Sequence, residues 1–217
     1  MNLLKENRWR CPDQAGSAVL EKKSRDEHAH IVLIDESGFL LNPLVRRTWA
    51  MRGHTPRLMS FGRHRDKVST IKAIAVTPRG RRIRPFWRTN AKHYIDVAGM
   101  VAFLSTVLGQ VRGPVIVVWD GGKNHKGPLI RELLARHKRL HLERLPAYVP
   151  DPNPVEMIWS YLKHGLMGNL VPRDVHEVDR VVQEHLLRLG KDPRLIRALG
   201  AGSRPPRSAR IWHPDDQ

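Results

Sequence analysis

Two uninterrupted apolar runs, each closed by an aspartate, constrain this chain more than any other feature. Val115 to Trp119 reads VIVVW and leads into Asp120, and Ile31 to Ile34 reads IVLI and leads into Asp35. A run without polar alternation is a strand covered on both faces. Such strands belong to parallel or mixed sheets with helices packed above and below. Asp35 is read at the C-terminal end of its strand, where Glu36-Ser37-Gly38 turns the chain, and Asp120 at the end of the other. Parallel neighbours about 4.8 Å apart would present both carboxylates at one sheet edge. That edge is where open sheets carry their sites.

The other elements fit the same layered plan. Lys67–Thr77 and Arg81–Arg88 read as strands joined by the Pro78–Gly80 turn, and Leu140–Leu145 as a fifth strand. Helices are expected over His93–Val111, with Tyr94, Val97, Val101, Leu104 and Leu108 on one face, and over Pro128–Lys138, Pro154–His164 and Asp174–Leu189. The order predicts an α/β fold, a mixed five-stranded sheet flanked by helices. A right-handed crossover through the His93 helix places the fourth strand beside the first. Residues 1–27 read as a linker with a short helix near Ala15–Lys23, 28–190 as the folded domain, and 191–217 as a basic tail.

Charge narrows the partners. With 38 Lys+Arg against 21 Asp+Glu the net charge is +17, which favours a polyanion, DNA or RNA ahead of an acidic membrane surface. Cys11 is the sole cysteine, so an internal disulfide is excluded. No apolar run approaches the roughly 18 residues of a membrane span, and MNLLKENRWR lacks a signal-peptide core. The expected setting is the cytoplasm, on the nucleoid.

Three acids are candidates for chemistry: Asp35, Asp120 and Glu156. Each has a plain structural reading. The two aspartates could initiate turns. Glu156 is the third helical residue after Asn153 and Pro154, a position from which it could close a capping box. Gathered at one edge, however, three carboxylates repel one another unless cations sit among them. Hard divalent ions such as Mg2+ take such oxygen ligands. Arg46, Arg47 and Arg52 flank Trp49 in a loop, and Lys123, His125 and Lys163 lie close in sequence to the second and third acids. These six are the candidate phosphate contacts, against the alternative of solvated charge. Arg79, Arg81, Arg82, Arg84 and Arg88 crowd the hairpin, where they would either meet DNA or guard a sheet edge.

Four blocks in order carry a resemblance: IDESGF, RTWAMRGHTP, VVWDGGKNHK and LPAYVPDPNPVEMIWSYLK. Together they resemble the signatures of mariner-like insertion-sequence transposases, DDE enzymes on an RNase H-like fold, over roughly Ile31 to Leu166. Thirty-five residues lie between Asp120 and Glu156, close to the spacing of such triads. The resemblance implies that Asp35, Asp120 and Glu156 bind two Mg2+ ions, with Mn2+ able to substitute. It implies double-stranded DNA as partner: hydrolysis at transposon ends, then attack of the freed 3'-OH on target DNA by a homodimer. The chain departs from the family where Gly121 follows the second aspartate in place of a frequent Asn. The residues before Ile31 are too few for a helix-turn-helix region, so a separately encoded partner is expected to read the ends. The alternative is a remnant that binds DNA without cutting it.

Overall fold

A computed structural model of the chain describes residues 15–42, 44–59, 66–91, 93–119, 127–144 and 153–200. Five strands form one sheet: β1 (His30–Leu40), β2 (Lys67–Val76), β3 (Ile83–Asn90), β4 (Val115–Trp119) and β5 (Leu140–Arg144). Their order is β3-β2-β1-β4-β5. β1, β4 and β5 run parallel, while β2 and β3 are antiparallel additions on the other side of β1. The crossover expected from the sequence places β4 beside β1, with Ile31 opposite Ile116 and Leu33 opposite Val118.

Alternation along β1 divides the core into two layers. Val32 and Ile34 face α2 (Val97–Gln110) and α3 (Pro128–Arg136) together with Val115 and Val117. Ile31, Leu33 and Phe39 face the other layer with Ile116 and Val118. That second layer holds α4 (Pro154–Ser160), α5 (Val175–Gly190) and α6 (Pro193–Gly200). α1 (Ala15–Asp26) closes it near the start of β1: Ser24 Oγ donates to Ala29 O at 2.7 Å, and Lys23 pairs with Glu143 at 2.6 Å.

α2 begins later than its periodicity suggests. Asp96 caps it, its carboxylate accepting from Gly99 N at 2.8 Å. Tyr94 stays outside the helix and 74% exposed, with the Lys67 ammonium 3.7 Å from its ring centroid. The buried face is Met100, Phe103, Leu104, Val107 and Leu108. At its far end the Arg139 guanidinium donates to the carbonyls of Leu108, Val111 and Gly113, so one side chain satisfies acceptors that a helix end otherwise leaves to water.

Two expectations need correcting. β1 does not turn at Glu36-Ser37-Gly38; it continues to Leu40, because residues 36–40 keep their ladder with Ile71 to Lys67 of β2. And the segment read as a tail from residue 191 contains α6. Asp192 opens it, accepting from Arg194 N and Leu195 N, and Leu195, Ile196 and Leu199 are buried in the core. Residues 201–217 lie outside the described ones. Among the described residues no helix is long and apolar enough to cross a membrane.

Candidate active site

Asp35 stands where β1 leaves its parallel neighbour. The β1–β4 pairing closes with Leu33 opposite Val118, while the β1–β2 ladder runs on and sets Asp35 opposite Lys72. The Asp35 side chain is half-buried. Alternation puts it on the face of Leu33, beneath α4. Glu36 turns to the opposite face, as its position next to Asp35 requires. Asp120 directly follows Trp119, the last residue of β4; Asp120, Lys123 and His125 lie outside the described residues.

Glu156 is brought to this strand end by Asn153. The buried Asn153 amide donates from Nδ2 to Ile34 O at 3.0 Å, and its Oδ1 accepts from Val155 N at 3.1 Å. One side chain thus caps α4 and fastens it to the residue just before Asp35. Pro154 occupies the first helical turn, where a missing N–H costs nothing. Val155, Ile158 and Trp159 are buried, which leaves Glu156 exposed one residue beyond the anchored face. The capping-box reading of Glu156 is not realised: Asn153 does the capping, and the Glu156 carboxylate makes no hydrogen bond among the described residues.

Beyond Ser160 the helix widens into a π-helical segment, Tyr161–Leu166. Such segments re-aim side chains and occur often at functional sites. Leu162 is buried, and Lys163 is half-buried with its ammonium 5.5 Å from the Phe39 ring centroid. Burial lowers the Lys163 pKa, and the Asp35 charge opposes that shift. Lys163 is therefore a cation within electrostatic reach of Asp35. Of the loop arginines, Arg46 is tied to the same region: its N–H donates to Asn169 Oδ1 at 2.7 Å, and Asn169 N donates to Leu44 O. Asn169 takes φ 62°, a left-handed conformation that Asn tolerates. Arg47 and Arg52 are exposed, as is Trp49 at 99%.

Lys72 went unsuspected as a residue of note. It is fully buried in β2, its Nζ has no hydrogen-bond partner among the described residues, and burial lowers its pKa to about 7. The available signal was a lone lysine inside the apolar stretch IKAIAV.

Among the described residues no three acidic, histidine or cysteine side chains form a metal cluster. What they do offer is a half-buried carboxylate, Asp35, and an unpaired one, Glu156, on elements joined by Asn153. Hard oxygen donors of this kind suit Mg2+ or Mn2+.

A family model described as DDE superfamily endonuclease matches residues 30–179. The chain belongs to that superfamily. No curated protein matches it. Among solved structures, this DDE endonuclease domain is similar to the Mos1 transposase paired-end complex with left transposon end, at TM-score 0.57 and 15% identity, covering 93% of this chain and 59% of that one. It is similar also to the Mos1 mariner paired-end complex with Mn, at TM-score 0.56 and 16% identity over 85% and 56% of the two chains. A third likeness is to the Mos1 strand transfer complex, at TM-score 0.53 and 15% identity over 92% and 66%. The shared feature is the fold, that of RNase H-like transposase catalytic domains. The chain spans under two thirds of the length of these Mos1 chains.

The Asn153 joint can be tested without any assay of chemistry. Asn153→Ala should cost about 2–4 kcal/mol, from a lost N-cap and an orphaned buried carbonyl at Ile34. Asn153→Ser, which keeps the cap, should lose less. Denaturant unfolding reads both; an Ala variant within about 0.5 kcal/mol of wild type would remove Asn153 from the account.

Proposed function

We propose that this DDE endonuclease domain is the catalytic domain of a DNA transposase, and that Asp35, Asp120 and Glu156 hold two divalent ions. The observation that carries the reading is the Asn153 amide, which joins the helix bearing Glu156 to the strand residue preceding Asp35. Register supports the third member. The β1–β4 pairing ends at Leu33 opposite Val118, and Asp35 and Asp120 each follow two residues later in the sequence. The Mos1 neighbours include complexes with Mn, with Mg and with a transposon end.

In this reading the bound ions would activate the attacking oxygen and stabilise the leaving one. The protein's part is placement. Asp35 and Glu156 supply negative oxygen ligands from elements held rigid by buried packing. Lys163 lies within electrostatic reach of Asp35 and would hold a phosphate of the strand being cut. Arg46, anchored through its backbone to Asn169, with Arg47 and Arg52 beside it and Lys123 and His125 after the second acid, would contact flanking phosphates. No covalent protein–DNA bond is needed. Two copies acting on paired ends would complete the assembly, consistent with the paired-end complexes of the Mos1 neighbours.

Supercoiled plasmid incubated with the purified chain and Mg2+ should acquire nicks that EDTA prevents. A pre-cleaved end carrying a free 3'-OH should then become joined to target. Nicks without joining would make the domain a nuclease. DNA binding with neither product would make it a binding remnant.

A further inference from the structure

We infer that the opposite rim of the sheet, where β1 and β4 begin, is a second duplex-DNA contact surface, separate from the carboxylate edge. This rests on the DNA reading above and extends it to residues not assigned there. The β2–β3 turn lies at this rim because Ile31 pairs with Val76 and Val76 with Ile83. The C-terminal ends of α2 and α5 are drawn to the same place. Arg84 donates to Gln110 O at 3.0 Å, a Cβ on Gly190 would lie 3.6 Å from the Pro85 ring near the start of β3, and Arg197 donates to Arg81 O.

The consequence is a concentration of unneutralised cations. Arg79, Arg81, Arg82, Arg112, Lys191 and Arg194 are all exposed there. Their side chains make no ion pair or hydrogen bond among the described residues. Little on the rim offsets them. α2 carries no acid, and Asp192 is engaged at the start of α6. Asp26 and Glu27 close α1, beside β1. Guarding the β3 edge against strand pairing explains hairpin arginines. It does not explain Arg112, Lys191 and Arg194, which are not on a strand. A face-wide excess of cations over acids instead fits the regular negative charge of a duplex backbone. Asp35 lies four residue steps along β1 from Ile31, about 13 Å at the usual rise. A duplex at the carboxylates therefore leaves this rim open to another stretch of DNA.

The test is the salt dependence of random-duplex binding. Each lost phosphate contact removes about 0.9 from the slope of log K against log salt. Replacing Arg79, Arg81, Arg112 and Arg194 with Gln should lower that slope by about 2–4, with an unchanged melting temperature, while the corresponding Lys variant keeps it. The decrement should add to that of Lys163→Gln, as for independent sites. If the fourfold Gln variant misfolds, Arg112→Gln with Arg194→Gln decides the matter by a drop of about 1–2. A folded Gln variant that retains the wild-type slope, or a Lys variant that loses it, would overturn the rim. A flat response in the wild-type chain would instead sink the DNA reading as a whole.

Discussion

Asp35→Asn should abolish metal-dependent nicking while duplex binding holds or tightens. The substitution keeps the size and the half-buried setting of the side chain on β1 but removes the charge that a divalent ion needs. Partners one shell further out typically cost 10–100-fold when mutated, so a direct ligand should cost more than about a hundredfold. A second readout is independent of turnover. Mg2+ or Mn2+ that binds the folded domain raises its melting temperature by mass action, and this increment should disappear in Asp35→Asn. DNA binding has no reason to fall, because removing a carboxylate lowers repulsion of phosphate. Equal nicking by variant and wild type would reject the metal assignment. Loss of nicking with an intact metal-induced shift would move Asp35 out of the ligand set.

Lys72→Met should stabilise the domain near neutral pH and flatten its alkaline stability profile. The ammonium is fully buried with no hydrogen bond from its nitrogen among the described residues, and burial lowers its pKa to about 7. In the unfolded chain the group returns to the ordinary lysine range, about 10.4. Between these values the unfolded state binds the extra proton, so stability rises as pH increases from about 7 towards 10.4 and is flat outside that window. Below about 7 the charge is carried in the fold and its full desolvation cost applies. Lys163, also lowered by burial, titrates in the same direction, so the difference between variant and wild type isolates Lys72. Methionine fills the volume without a charge, and a gain on the order of 1–4 kcal/mol at pH 7 is expected. Parallel pH profiles for the two proteins would show that Lys72 finds solvent or a counter-charge.

The sheet was legible in the sequence because its central strands are apolar without interruption, and runs such as VIVVW admit few other readings. The aspartates that close those runs could be named for the same reason, as could Glu156 from the block around it. What escaped depended on contacts distant in the chain. Ser37-Gly38 looks like a turn, yet β2 pairs with it and carries β1 to Leu40. α6 is flanked by prolines and arginines, and only burial of Leu195, Ile196 and Leu199 by other helices makes it a helix worth forming. The π-helical turn holding Lys163 has no local signature. Asn153 could be read as a cap, but its second bond, to Ile34 O, spans 119 residues.

That second bond bears on how such a site changes over time. Because α4 is moored to β1 by one amide and by its own buried face, the length of chain between the second and third acids is not what positions Glu156. A residue inserted between β5 and Asn153 should therefore leave Glu156 and Asp35 on elements joined as before. Tolerance of such a change would rest on the amide at the mooring point.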